Sequence, residues 1–186
     1  MANTGALTAT AATTAAEAPW SDNDWTAAAN VYGAGEASVT HPSYDNGDQT
    51  YVLKAYTFDM SSVPSGATID GVVVVVNARY ANGAASIDLV QLLDASRAKV
   101  GDNKASTPQA LTTSAADYTF GGTADKWGNS LTDTWVKDAD FGVALGMLAT
   151  ANDADVYCDY ITVNVYYTAA AVDNLTAAGI TTGAPT

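Results

Sequence analysis

At 186 residues the chain is long enough for one well-filled core and too short for two generous domains once its low-charge ends are set aside. Seven Lys and Arg stand against twenty Asp and Glu, a formal charge of -13, and such a field repels phosphate backbones and argues against nucleic acid as a partner. Charged residues make only 15% of the chain, under the roughly one quarter usual for soluble domains, so Thr, Ser, Asn and Gly must cover much of the surface.

Residues 1–18 hold eight Ala and five Thr, with Glu17 the sole charge, and read as an N-terminal arm ordered by neighbouring molecules. The opening has no positive charge and no apolar run of signal-peptide type, so synthesis in a cytoplasm without export is expected. Residues 19–168 then form one domain with a dominant period of two. A short strand falls within 31–39. Tyr51 to Phe58 alternates and is rich in aromatics, as a strand packed on at least one face should be. Pro64, Ser65 and Gly66 supply a turn, and Gly71 opens the five-valine run Val72 to Val76. β-branching makes that run a strand, and its lack of polar interruption predicts a central position covered on both faces. Five residues is far below a membrane span, so no membrane partner is expected.

Asn82-Gly83 favours a tight hairpin that would pair the next strand, 84–94, with the valine strand. In that strand Ile87, Leu89 and Gln91 alternate against Asp88, Val90 and Leu92. Residues 94–117 read as a long connection, followed by a short strand ending at Gly121-Gly122. One helical turn is predicted to begin at Thr132 or Asp133, because a capping residue there precedes Trp135 and Val136, which can dock on the sheet. The strand 141–148 carries Gly142 and Gly146, which permit a bulge or a close backbone approach. In the last strand Tyr157, Asp159, Ile161, Val163, Val165 and Tyr167 are predicted to face the core, with Val156, Cys158, Tyr160, Thr162, Asn164 and Tyr166 opposite. Residues 169–186 repeat the low-charge composition of the N-terminus and read as a C-terminal arm. Seven to nine strands and almost no helix predict a mainly β chain: an antiparallel jelly-roll-like β-sandwich with extended N- and C-terminal arms.

The residues that could carry chemistry are few. His41, the only histidine, precedes Pro42 in a loop and reads as structural, and Cys158, the only cysteine, reads as buried and inert. No phosphate loop, dinucleotide fingerprint or serine elbow is present. Asp22 and Asp24, Asp45 with Asp48, and Asp153, Asp155 and Asp159 form local acidic groups that raise calcium as a hypothesis, but none has EF-hand spacing and ordinary turns explain them. No catalytic, cofactor or metal residue is assigned, and an enzyme is not expected. Four Trp and ten Tyr raise carbohydrate binding; Trp20, Trp25, Trp127 and Trp135 each also read as plugs that seal a sandwich or a subunit contact.

The phrase formed by Phe58, Ser61, Val63, Pro64, Gly66, Ala67, Ile69 and Gly71 resembles the opening of jelly-roll-type sandwiches. Residues 18–168 resemble virion structural proteins of tailed bacteriophages and prophages. The likeness runs through PWSDNDW, GDNKA, YTFGGTADKWGNSLT, DFGVAL and DYITVNVYYT. It implies a non-enzymatic particle component without a cofactor. The favoured form is a capsid decoration or cement protein on the outside of the capsid, whose arms bridge neighbouring capsomers and whose partners are the major capsid protein and copies of itself. The alternatives are a tail or baseplate accessory, touching tail components, and a carbohydrate-binding host-adhesion module, touching host glycans.

Overall fold

The computed structural model describes residues 1–33, 35–40 and 44–171. The chain is an antiparallel jelly-roll-like β-sandwich of two sheets. Its strands are β1 (Ala2–Asn3), β2 (Leu7–Ala15), β3 (Ala37–Val39), β4 (Val52–Phe58), β5 (Thr68–Asn82), β6 (Ala85–Leu93), β7 (Lys99–Val100), β8 (Gln109–Ala110), β9 (Ala116–Gly122), β10 (Gly142–Ala149) and β11 (Asp155–Thr168). A 3-10 helix, Ala28–Tyr32, and the single-turn α1, Asp133–Val136, complete the elements.

Sheet A is built on β5 and β11, paired along nearly their whole length, with β9 on the far side of β5. The other edge of β11 is completed in turn by short stretches of three strands: β3 along 156–158, β2 at 162–163 and β1 at 166–167. Sheet B runs β2, β4, β10, β6, with β7 and β8 on the outer edge of β6. β2 therefore belongs to both sheets: Leu7 and Thr8 pair with β11, and Ala9 to Ala15 pair with β4.

The period-two pattern buries Val72, Val74 and Val76 of β5 against Ile161, Val163 and Val165 of β11 and the inner side chains of sheet B, including Leu53, Ile87, Leu92 and Leu145. Full burial of each such aliphatic contributes about 1.5–3 kcal/mol. The turn predicted near Thr132 forms as expected: Thr132 caps α1, its hydroxyl accepting from Trp135 N at 3.1 Å, and Val136 is buried.

Five expectations change. The N-terminal segment is not an arm, because β1 and β2 are woven into the sheets and Ala9 is 1% exposed; backbone pairing, which depends little on side-chain type, holds an Ala/Thr run as well as an apolar one. The Asn82-Gly83 turn closes no hairpin between neighbours. It carries the chain from sheet A to sheet B, and a side chain on Gly83, at φ +61, would meet Asn152 O at 2.7 Å. The valine run is covered on one face only, Val73 and Val75 being half-exposed on the outside. The region 31–39 divides into the end of the 3-10 helix and β3. Finally, β11 is bulged between Cys158 and Tyr160, so Val156 and Cys158 face the core and Tyr157 faces out. Most of the C-terminal arm, 172–186, and His41 lie outside the described residues.

Candidate binding face

The two outer faces differ. That of sheet B is sealed: Trp20 lies over Val52, Leu89, Leu93 and Ala144, and its indole N–H donates to Asp88 Oδ1 at 3.0 Å. Gly146 makes room for it, since a Cβ there would sit 2.5 Å from the indole Cδ1. Gln49 also donates to Asp88, and Lys54 and Lys99 both pair with Glu17 beside the ring. Burial pushes the Asp88 carboxyl up, and the hydrogen bonds from Gln49 and Trp20 only partly offset it.

The outer face of sheet A is open. Tyr157, Tyr160, Thr162, Asn164 and Tyr166 of β11 lie half-exposed along it, beside Val73, Val75, Asn77 and Arg79 of β5. From Tyr157 to Tyr166 the strip spans about 30 Å at strand rise. Arg79 closes one end, clamped by two bonds to Glu36 (2.9 and 2.7 Å) and lying 4.0 Å over the Tyr157 ring.

The bulge makes a hollow in this face. Between the stretch of β11 paired with β3 and that paired with β2, Asp159 is the extra residue, and a depression of about 340 Å³ opens there. Tyr32 and Gly33 at the end of the 3-10 helix form one wall; Thr8, Asp159, Tyr160 and Thr162 form the rest. At 36% exposure, Tyr32 is one of two large hydrophobic side chains that stand free among the described residues. Tyr160 is held from behind: its hydroxyl donates to Asp117 Oδ1 at 2.6 Å, and Asn77 Nδ2 donates to the same oxygen at 2.7 Å. Those bonds keep the Asp117 carboxyl below the usual range and push the Tyr160 hydroxyl up. Asn77 Oδ1 is buried without a partner.

An ionised, hydrogen-bonded carboxylate is the reverse of a general acid, which needs its proton held at working pH; what Asp117 does in this structure is fix the Tyr160 hydroxyl.

Of the residues singled out in the sequence, Trp25 and Trp127 are buried plugs, their indole N–H groups donating to Tyr51 O and Val72 O at 2.8 and 2.9 Å. Trp135, within α1, is half-buried. Cys158 is fully buried, which pushes its thiol up. The acidic groups meet as turn acceptors. Asp22 Oδ2 takes Gln49 N, Asp48 Oδ2 takes Asp45 N, and Asp45 Oδ1 takes Asp153 N. Asp24 caps Trp25 N. Among the described residues no three His, Cys, Asp or Glu side chains stand in a metal-holding arrangement. Sequence reasoning missed Tyr32, because it set residues 31–39 as a strand where the chain ends a 3-10 helix, and missed Asp159 as the bulge.

No family model and no curated protein matches the chain. Solved structures resemble it at a coarse level. One described as "CBM4 structure and function" is 16% identical at TM-score 0.42, over 72% of this chain and 85% of that one. The N-terminal cellulose-binding domain of Cellulomonas fimi β-1,4-glucanase C is 19% identical at TM-score 0.34, over 75% and 83%. The CBM22-1 xylan-binding domain of Paenibacillus barcinonensis Xyn10C is 13% identical at TM-score 0.35, over 88% and 98%. With every score below 0.5, these superpositions are loose.

Proposed function

We propose that the chain is a non-catalytic carbohydrate-binding module whose ligand lies along the outer face of sheet A. The observation that carries this reading is the hollow at the β11 bulge, where Tyr32 and the braced Tyr160 flank hydroxyls of Thr8 and Thr162. Sugar rings present an apolar face and a hydroxyl edge; tyrosines offer the first a flat partner, and hydroxyl, amide and carboxylate groups satisfy the second. The charge of -13 makes anionic polysaccharides poor ligands and leaves neutral or cationic ones.

The phage resemblance gives such a module a setting, an external particle component that meets host-surface glycans. The capsid-cement form of that reading called for two low-charge arms lying across neighbours, and the first of them is built into the sandwich. Copy number and position in the intact virion separate cement from adhesin.

The test is a glycan array followed by calorimetry on the best ligand. Tyr160→Ala and Tyr32→Ala are each expected to weaken binding by roughly 1–2 kcal/mol, about five- to thirtyfold, while Thr134→Ala leaves it unchanged. Failure of the parent chain to retain any neutral or cationic glycan sinks the reading.

A further inference from the structure

A second groove, of about 600 Å³, opens at the edge of sheet B between the turn after β6 and α1, and is lined by different residues from the hollow of the glycan face. Trp135 and Val100 form its half-buried apolar part, Thr132 and Thr134 lie on its exposed rim, and Asp94 and Asp138 contribute carboxylates. The indole N–H of Trp135 donates to Leu93 O at 3.3 Å, which fixes the ring. Asp94 is equally fixed, its Oδ1 accepting from Ser96 N, Ser96 Oγ and Ala98 N at 2.8, 2.7 and 3.0 Å; these bonds hold it ionised. No Lys or Arg lines the groove.

That absence stands out against a pattern repeated four times among the described residues, in which a cation sits over an aromatic ring and is paired with a carboxylate. Arg79 lies 4.0 Å over Tyr157 and pairs with Glu36; Arg97 lies 4.7 Å over Tyr56 and pairs with Asp140. Lys99 lies 4.4 Å over Trp20 and pairs with Glu17; Lys104 lies 5.8 Å over Trp127 and pairs with Asp125. At Trp135 the ring and the carboxylates are present and, among the described residues, no cation lies over the ring.

We infer that this groove binds a small organic cation, an alkylated ammonium group, seated on Trp135 beside Asp94 and Asp138. Tryptophan is the strongest aromatic partner for a cation, and a methylated ammonium sheds water more readily than a metal ion on entering an apolar groove. The chain's net charge of -13 draws such a ligand in. The inference is independent of the glycan reading.

The probes are choline and tetramethylammonium, with neutral 3,3-dimethylbutan-1-ol as the isosteric control, followed on the full chain by calorimetry and by the NMR resonance of the Trp135 indole N–H. Both cations are expected to shift that resonance saturably, and the neutral alcohol to bind about tenfold more weakly. Asp138→Asn should weaken binding several-fold and flatten its salt dependence, and Trp135→Leu should remove it. Equal affinity for the neutral isostere, no saturable shift with either cation, or unchanged binding in Asp138→Asn overturns the assignment. The Asp138 variant decides the matter if Trp135→Leu does not fold.

Discussion

Asp88 shows how one residue can invert its sequence reading. Strict alternation sets it with Val90 and Leu92, yet β6 is offset against β10 at Gly146/Met147, and Asp88 turns with Leu89 toward Trp20. It is only 8% exposed, and burial raises its carboxyl above the ordinary value of about 3.9. A carboxyl raised on folding binds its proton more tightly in the native state. Its contribution to stability is therefore full below the unfolded value and is lost as pH climbs through that value toward the folded one. Asp88→Asn removes the dependence while keeping an acceptor for the Trp20 indole. Thermal melts at pH 3.5 and pH 7 should show the variant gaining on the parent at the higher pH, and parallel curves for the two proteins would disprove the burial argument. Nothing in the sequence announces this, because the lid that buries Asp88 arrives from Trp20, 68 residues away.

At the scale of elements, what the sequence declares openly is what local chemistry decides. The valine strand, the strand ending at Gly121-Gly122 and the Thr132 cap all depend on neighbours within a few residues, and each forms where expected. The bulge in β11 depends instead on how β5 pairs opposite it, so period-two reasoning carried one face along the whole strand and misplaced Tyr157. The candidate site inherits that difficulty: Tyr160 was set on the correct outward side, but the hollow exists because Asp159 is extra. Cys158 opposes Ala78 and Tyr160 opposes Asn77, so excising Asp159 restores a regular ladder with every facing preserved. Deletion of Asp159 is expected to leave a cooperative melt close to the parent's and to abolish glycan retention on an affinity gel. A deletion variant that binds as the parent does would detach function from the bulge.

For the whole molecule the decisive element is β2, whose low charge and small side chains gave it the look of a free end. Composition alone cannot distinguish a flexible Ala/Thr segment from one that joins two sheets, because the distinguishing fact is the unpaired backbone edges that β4 and β11 offer it. β2 makes six residue pairs with β4 and two with β11, and it is the strand through which the two sheets are joined by hydrogen bonds. Removing residues 1–15 would expose an edge of β4, open one side of β11 and uncover the core around Ala9, leaving unpaired backbone groups where the fold now satisfies them. A free arm could be cut without consequence to the domain. The truncated chain is instead expected to lose its cooperative thermal transition or to associate through the exposed edges, as followed by circular dichroism and light scattering. Ala11→Pro is the milder probe: a proline ring there disturbs the ladder that Ala11 forms with Tyr56 of β4, so the melting temperature should fall by several degrees with the oligomeric state of the parent kept. If both variants melt like the parent, β2 is dispensable and the sandwich closes without the strand that its two sheets share.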